Sequence, residues 1–501
     1  MPRSCSCALF VWCFCANLLS AAVIRGSVVE NQTGRPLARA SVTLQPVAGT
    51  PGGALAVRTN SYGAFAFDSL AGGAYVIKAS KRGFMPAEYG QKQWNSAGVP
   101  VFLTSEAATF LTIRLPRYGA ITGTIVDENE VGLPQQRVLA YRSTQPPQIA
   151  GQGTTDDRGV FRVSGLEPGA YLVRTAAGEN DGVEYLPTFS KETLRVDEAQ
   201  VVQVYIDEES KSENVRPVQG TLFTLTGTAR TNPLGIPVTV TLISDMGRQT
   251  VPGPDFHFES LPPGPYELYA EAAENRRLNA TYQAVFTRLN LNGNQNLMLA
   301  LQPVRESQVA LVPDPPDTHG VQLLARRKDL AGVGPAQMVP VPNDGILLAP
   351  GRWELSLMPP TGFYVSAFSG LGSEQNGRGR PDAWNEISFN NFTLVKFSLS
   401  PGPGSLHGTV KANGDLVAGA PVYLETYDPV SRRRITDLRT ARSDLRGSYR
   451  FDGLAPGTYR VLATFEYQAP DSTALDLARA RQVEAEAAKD LQMDLDLYSI
   501  R

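Results

Sequence analysis

A turn-and-aromatic block recurs along this chain at intervals of roughly 95 residues, so the fold must be a series of small units and not one large core. The clearest copy reads Thr59-Asn60-Ser61-Tyr62-Gly63-Ala64-Phe65-Ala66-Phe67, followed by Leu70, Gly73, Tyr75 and Ile77. A second reads Thr155-Asp156-Asp157-Arg158-Gly159-Val160-Phe161-Arg162-Val163, then Leu166, Pro168, Gly169, Tyr171 and Val173. A third keeps Phe256-His257-Phe258, Leu261, Gly264, Tyr266 and Leu268. The last has Ser443-Asp444-Leu445-Arg446-Gly447-Ser448-Tyr449-Arg450-Phe451, then Leu454, Pro456, Gly457, Tyr459 and Val461. Between these lies a worn copy with Asn343-Asp344-Gly345-Ile346, Pro350-Gly351 and Trp353.

The residue types fit a β-hairpin with one buried face. Asn or Asp opens a turn because its side chain can bond the backbone two residues on, and the glycine that follows takes the positive φ. Phe-x-Phe alternation puts two aromatics on one face of a strand. Leu-x-Pro-Gly closes a second turn, and Tyr-x-Val starts the return strand. A matching first hairpin precedes each full copy, as in Gly26-Ser27-Val28 with Gly34-Arg35-Pro36, or Gly408-Thr409-Val410 with Gly419-Ala420-Pro421. An alternating strand closes each copy, over 110–115, 201–206, 296–301, 394–399 and 491–497. The segment 472–488, rich in Ala, Leu, Arg and Glu, reads as a short helix on a sandwich edge.

The expected fold is all-β: a tandem array of about five seven-stranded Greek-key β-sandwiches after a cleaved signal peptide. The expected spans are 1–22 for the signal peptide, then 23–115, 118–207, 218–302, a degenerate 303–400 and 404–501. Arg3 supplies the charged start of the leader, 8–19 its apolar stretch, and Ser20-Ala21-Ala22 a small-residue cleavage site. No later stretch is apolar for long enough to span a bilayer. Cys5, Cys7, Cys13 and Cys15 all lie in the leader, so the cleaved chain has no disulfide framework and no thiolate metal site. A formal charge of −3 gives no global field for nucleic acid. The stretches between copies, such as Pro116-Arg117-Tyr118 and Pro401-Gly402-Pro403, are too brief for flexible tethers, so neighbours should bend little.

Gly-x-Val, Gly-x-Pro-x-x-x-Ala-x-Val-x-Leu and Thr-Asp-x-x-Gly-x-Phe-x-Phe-x-x-Leu-x-Pro-Gly-x-Tyr-x-Val together resemble the carboxypeptidase regulatory-like domain. That domain is a transthyretin-like sandwich, related to collagen-adhesin B-type repeats and to the carbohydrate-binding-like fold. Copies one, two and five carry the pattern, whereas copy three has Pro252-Gly253-Pro254-Asp255 in place of the turn. The resemblance implies an exported bacterial protein with a binding or scaffolding role. Adhesin relatives often carry a Lys–Asn isopeptide bond from the first strand. Here those strands offer Arg25, Thr124 and Thr228, with Lys411 as the exception.

Catalytic chemistry has little to stand on. His257, His319 and His407 are far apart in sequence, with no zinc-peptidase cluster, and His257 should point outward between Phe256 and Phe258. No Gly-x-Ser-x-Gly elbow or phosphate loop occurs. The acidic turns at Asp127-Glu128-Asn129-Glu130, Asp156-Asp157 and Asn343-Asp344 lack calcium-loop spacing, so ordinary turn chemistry explains them. No cofactor is expected. The candidate ligand-binding residues are aromatics in irregular stretches: Tyr89, Trp94, Tyr185, Phe189 and Trp384. Such rings can stack on a sugar or anchor a partner. They can also plug the open end of a sandwich, which the equivalent placing of Tyr89 and Tyr185 in their copies would favour.

The expected function is an exported, non-enzymatic binding or scaffolding protein, with extracellular or envelope polysaccharide or envelope proteins as partners. The alternatives are an accessory module array of a hydrolytic system, or a hydrolase with its site in the fourth copy or its 370–382 insert.

Overall fold

The computed structural model describes residues 22–47, 49–92, 94, 96–104, 108–180, 182–232, 235–272, 282–313, 321–339, 345–370, 380–389, 393–428, 433–434, 438–467 and 469–499. Residues 1–21, the expected signal peptide, lie outside them. The chain divides into two compact units, Met1–Arg117 and Tyr118–Arg501. Among the described residues the first holds one large hydrophobic core and the second holds four large ones, each built from one repeat, with smaller clusters beside them. The protein is therefore all-β, with repeated small two-sheet units.

The strand pairing repeats with the sequence. In the first unit Ala22–Glu30 lies between Ala64–Leu70, antiparallel, and Ala108–Leu115, parallel. The facing sheet runs Leu55–Arg58, Ser41–Pro46, Gly73–Ser80, then Ala87–Glu88 and Val101–Leu103. The same central strand recurs as Gly119–Thr124, Phe223–Arg230 and Gly404–Ala412.

A glycine on each central strand sits directly opposite the first aromatic of the hairpin: Gly26 on Phe65, Gly123 on Phe161, Gly227 on Phe256 and Gly408 on Tyr449. A Cβ on Gly26 would stand 2.7 Å from the Phe65 ring, and one on Gly123 2.8 Å from Phe161. Only a residue without a side chain lets the ring lie flat over the strand.

The turn is built as its residues foretell. Asn60 Oδ1 accepts the Tyr62 and Ala64 amides at 2.9 and 3.0 Å. Asp156 does the same for Arg158 and Val160, and Asp444 for Arg446 and Ser448. Gly63, Gly159 and Gly447 follow at φ of 71°, 75° and 70°. The residue before the Asx has a role of its own. The buried Thr155 hydroxyl accepts the Gln136 amide at 2.8 Å and donates to Leu133 O at 2.6 Å. Thr59 joins Ala40 and Leu37 in this way, and Ser443 joins Ala420 and Val417.

The second turn carries a further repeated bond. Tyr75, Tyr171, Tyr266 and Tyr459 each donate a hydroxyl to the carbonyl four residues upstream, at 2.7–2.9 Å. Trp353 Nε1 does the same to Ala349 O in the fourth sandwich. In that sandwich the hairpin strand is reduced, among the described residues, to a single bridge between Ser307 and Ile346. Phe363–Gly370 instead extends the sheet on the far side of Leu394–Pro401. Asn343 and Asp344 lie outside the described residues.

Two sequence expectations change. The second sandwich does not close on 201–206: Val201–Val204 joins the four-stranded sheet beside Gly169–Thr175. The parallel closing strand is Glu209–Lys211, and pairing runs on to Val215, past residue 207. A three-residue polar strand has no alternation to betray it. The 472–488 helix shrinks to Ser472–Leu477, capped by Asp471. Arg481–Ala485 is a strand on the edge of Gly457–Ala463, where ladder bonds override helix propensity. The short helix covers a buried ion pair, with Ser472 on Glu425 and Asp476 on Arg460.

Within the second unit the sandwiches meet through arginines. Arg248 forks onto the buried Asp329 carboxylate at 2.8 and 2.7 Å, joining third to fourth. Arg327 lies 3.6 Å over Tyr269 and 5.1 Å from the Trp353 ring centre. Arg380 reaches from the fourth sandwich to Tyr459 Oη at 2.6 Å and to the Ala455 and Thr458 carbonyls of the fifth. Burial pushes the Asp329 carboxyl up, which marks how dry that seam is.

Two substitutions test these bonds. Thr155→Val keeps the shape but orphans a buried amide and a buried carbonyl. It should cost about 2 kcal/mol, read as faster hydrogen exchange at the Gln136 amide, while Thr155→Ser costs much less. Arg248→Ala leaves Asp329 buried without its cation. With Arg248 itself partly open to water, the expected loss is about 2–3 kcal/mol. It should appear as exchange about 10- to 100-fold faster at the Leu330 and Ala331 amides, which donate to Glu267 and Asp329.

Candidate functional site

The five aromatics separate by burial. Phe189 is fully buried, packed at 6.4 Å against Tyr141 and covered by the Arg174 guanidinium at 5.0 Å. Tyr185 is 5% exposed and belongs to the second core. Neither offers a ring face to solvent. Trp384 is half-buried, with Arg326 stacked at 4.0 Å over its ring. Tyr89 is half-buried against the first core. Trp94, at 39%, is the most exposed of the five.

Tyr89 and Tyr185 are not equivalents. Tyr185 matches Phe84: Phe84 bridges Arg117, Tyr185 bridges Gln219, and the next amides, Met85 and Leu186, donate to Pro116 O and Val218 O. The signal was present in sequence as aromatic–aliphatic–proline, Phe84-Met85-Pro86 beside Tyr185-Leu186-Pro187. These edges hold the chain leaving each sandwich. In the first unit Arg117 also pairs with the buried Glu30 and lies 4.7 Å over Phe84, and hydrogen bonds from the Thr33 hydroxyl and then Arg117 hold the Glu30 carboxyl below its usual range.

Trp94 sits on a stitched loop. The Tyr89 amide donates to Ile77 O and the Val99 amide to Tyr89 O, both at 2.8 Å, which closes the loop base on the sheet. Gln91 Oε1 accepts the Glu88 amide at 2.8 Å, and its Nε2 donates to Trp94 O at 2.7 Å. Glu88 Oε2 accepts the Gly98 amide at 2.9 Å. The Trp94 carbonyl is thus tied to the loop base through Gln91. Gln93 and Asn95 lie outside the described residues.

The first sandwich exposes further rings that the sequence reading passed over: Tyr62 at the turn tip, Phe102 and Phe110. Alternation could have found the last two, because Val101 and Leu103, and Leu111 and Ile113, point inward around them.

The remaining candidates resolve into ordinary chemistry. His257 is exposed, 3.7 Å from Glu259. His319 lies outside the described residues. His407 Nδ1 meets Asp490 Oδ1 at 3.0 Å, and Ser405 Oγ donates to that same oxygen. Serine and histidine compete for one carboxylate, so no nucleophile is paired with a base. Asp127 and Asp156 spend an oxygen on turn amides. Lys411 lies half-exposed at 2.8 Å from Asp494, whose carboxyl it and Thr409 pull down to about 2. Among the described residues no group of three His, Cys, Asp or Glu could hold a metal, and no helix is long and apolar enough to cross a membrane.

No curated protein matches the chain. Among solved structures, a minor pilin of Streptococcus agalactiae is similar at 14% identity over 40% of this chain and 97% of its own, with a TM-score of 0.26. The TIE protein of Bacillus anthracis is similar at 10% identity over 91% and 68%, TM-score 0.17. Two B repeat units of the collagen-binding protein of Staphylococcus aureus are similar at 12% identity over 75% and 99%, TM-score 0.14. Residues 23–115 match the carboxypeptidase regulatory-like domain family, so the chain carries a domain of that kind near its N-terminus.

Proposed function

We propose that this chain is an exported, non-enzymatic array of binding or scaffolding sandwiches of the bacterial envelope, with extracellular or envelope polysaccharide, or envelope proteins, as partners. Five domains, 23–115, 118–207 with its extension to 215, 218–302, 303–400 and 404–501, would each vary a seven-stranded Greek-key, transthyretin-like plan after the leader. The observation that carries the reading is the set of exposed rings on the first sandwich. In the first sandwich Trp94, Tyr62, Phe102 and Phe110 face water. Exposed rings on a domain with its own full core are what a partner surface needs.

The hydrolase alternative would require a nucleophile held by a base. The Ser405, His407 and Asp490 group offers none, and Arg380 and Asp382 at the end of the 370–382 insert are bonded to each other at a seam. Residues 371–379 lie outside the described residues.

A glycan array and an envelope pull-down on residues 23–501, run beside Trp94→Ala, test the proposal. Glycan binding lost in the variant, with melting unchanged, identifies a carbohydrate-recognition protein whose site is in the first sandwich. Recovery of specific envelope proteins without glycan binding identifies a scaffold. Neither, or turnover of a bound glycan, overturns the reading.

A further inference from the structure

A strand at the edge of a sheet carries a row of backbone N–H and C=O groups with nothing to bond, and folded proteins shorten, break or cover such strands. Most closing strands of this chain are treated in one of those ways. In the second sandwich the strand is the three residues Glu209–Lys211, and in the fifth it is broken into Asp490–Gln492 and Leu495–Asp496. In the fourth, Leu394–Pro401 is covered by Phe363–Gly370, which runs antiparallel along the side away from Gln308–Val312. The first sandwich differs. Ala108–Leu115 is eight residues long, and among the described residues no strand lies beyond it.

Leu115 O accepts the Asn31 amide at 2.9 Å, so the odd positions of this strand turn their backbone groups toward the central strand. Phe110, Thr112 and Arg114 therefore turn theirs outward. Their side chains share the solvent face of the sheet, whereas Leu111 and Ile113 are buried in the core. Phe110 is 72% exposed. Arg114 is also exposed, and among the described residues it makes no ion pair or ring contact. Elsewhere the chain lays guanidiniums on phenylalanines: Arg117 over Phe84, Arg174 over Phe189 and Arg288 over Phe286. The open edge thus holds both halves of a pair that the rest of the fold uses repeatedly.

We propose that Ala108–Leu115 pairs antiparallel with the same strand of a second copy of this chain, joining two first sandwiches through one continuous sheet. A two-fold axis at Thr112 sets Phe110 opposite the partner's Arg114, and Arg114 opposite the partner's Phe110, so a ring meets a guanidinium at both ends. In that register Phe110, Thr112 and Arg114 exchange backbone bonds with their opposites, and their outward groups are satisfied together. Leu111 faces the partner's Ile113 on the buried side. The third sandwich's Gln295–Ala300 lacks this symmetry. A two-fold at Met298 would set Asn296 against Ala300, and the Asn296 amide is already spent on Thr226 Oγ1. The fourth sandwich supplies the precedent, because the plan there accepts an antiparallel strand on the same side of the closing strand. One strand pair is a small contact, so the dimer is weak and concentration-dependent. The inference goes beyond the function above and does not depend on which ligand the array binds.

The test is sedimentation equilibrium of residues 23–501 over a wide range of concentrations. The chain should pass from monomer to dimer as concentration rises. Phe110→Arg sets like charges against Arg114 at both ends and should raise the dissociation constant by about 10-fold or more. Phe110→Arg combined with Arg114→Phe rebuilds both pairs the other way round and should bring it back to within about 3-fold of the original. Arg25, the cross-strand neighbour of position 110, is the same in both variants, so their comparison reads only the partner's side. Both positions are exposed, so melting should change little in either variant. A monomer at every concentration, or a dimer indifferent to Phe110→Arg, overturns the proposal. A dimer lost in Phe110→Arg and not restored by the exchange overturns the two-fold pairing, and leaves Phe110 as a ring open to some other partner.

Discussion

A single buried hydroxyl organises the sandwiches that keep the full motif. Thr59, Thr155 and Ser443 each take an amide from one hairpin and give their proton to a carbonyl of the same loop. Two backbone groups that water cannot reach are satisfied at once, and each would otherwise cost about 1–3 kcal/mol. Because the next residue is the Asx that closes the turn, fixing the hydroxyl also fixes where the following strand begins. A one-residue slip would turn Phe65 and Phe67 outward, so the core depends on that register. The strand glycine opposite the first aromatic completes the arrangement by giving the ring a flat place to lie.

With no cysteine after Cys15, no disulfide closes these units, and each depends on its core and its turns. The second turn supplies an independent clamp, the ring-to-carbonyl bond four residues back, and it is the more tolerant of the two. The fourth sandwich shows this. Its hairpin strand is reduced to one bridge among the described residues, yet Trp353 keeps the bond with an indole N–H, which donates as a phenol does. The added strand Phe363–Gly370 restores the sheet from its other edge. The same indole backs Arg327 of its own sandwich, and it is Arg327 that lies over Tyr269 of the third.

The parts of this fold set by local chemistry were legible in the sequence. Asn60, Asp156 and Asp444 act two residues from where they stand, and the period-two aromatics face one way whatever surrounds them. The parts set by distant partners were not. Glu209–Lys211 closes the second sandwich without any apolar pattern, because its place comes from the strand beside it. Arg481–Ala485 has helix-forming residues but finds a free sheet edge. Phe84 and Tyr185 share a role through the residue each bridges, and counting from the turn misaligns them. Among the candidate site residues, the sequence marks Trp94 and Phe189 alike as loop aromatics. Only the packing of Tyr141 and Arg174 around Phe189 separates them.

That separation bears on how such an array divides its work. A ring under a guanidinium is committed: its face is occupied, and withdrawing the arginine would strand a charge. Tyr269, Trp353, Tyr459 and Trp384 are committed in this sense, and so are the arginines that carry a carboxylate as well. On the first sandwich Tyr62, Trp94, Phe102 and Phe110 stay open to water while Phe84 lies under Arg117, so one unit of the motif leaves some rings free and consumes another in holding its own chain.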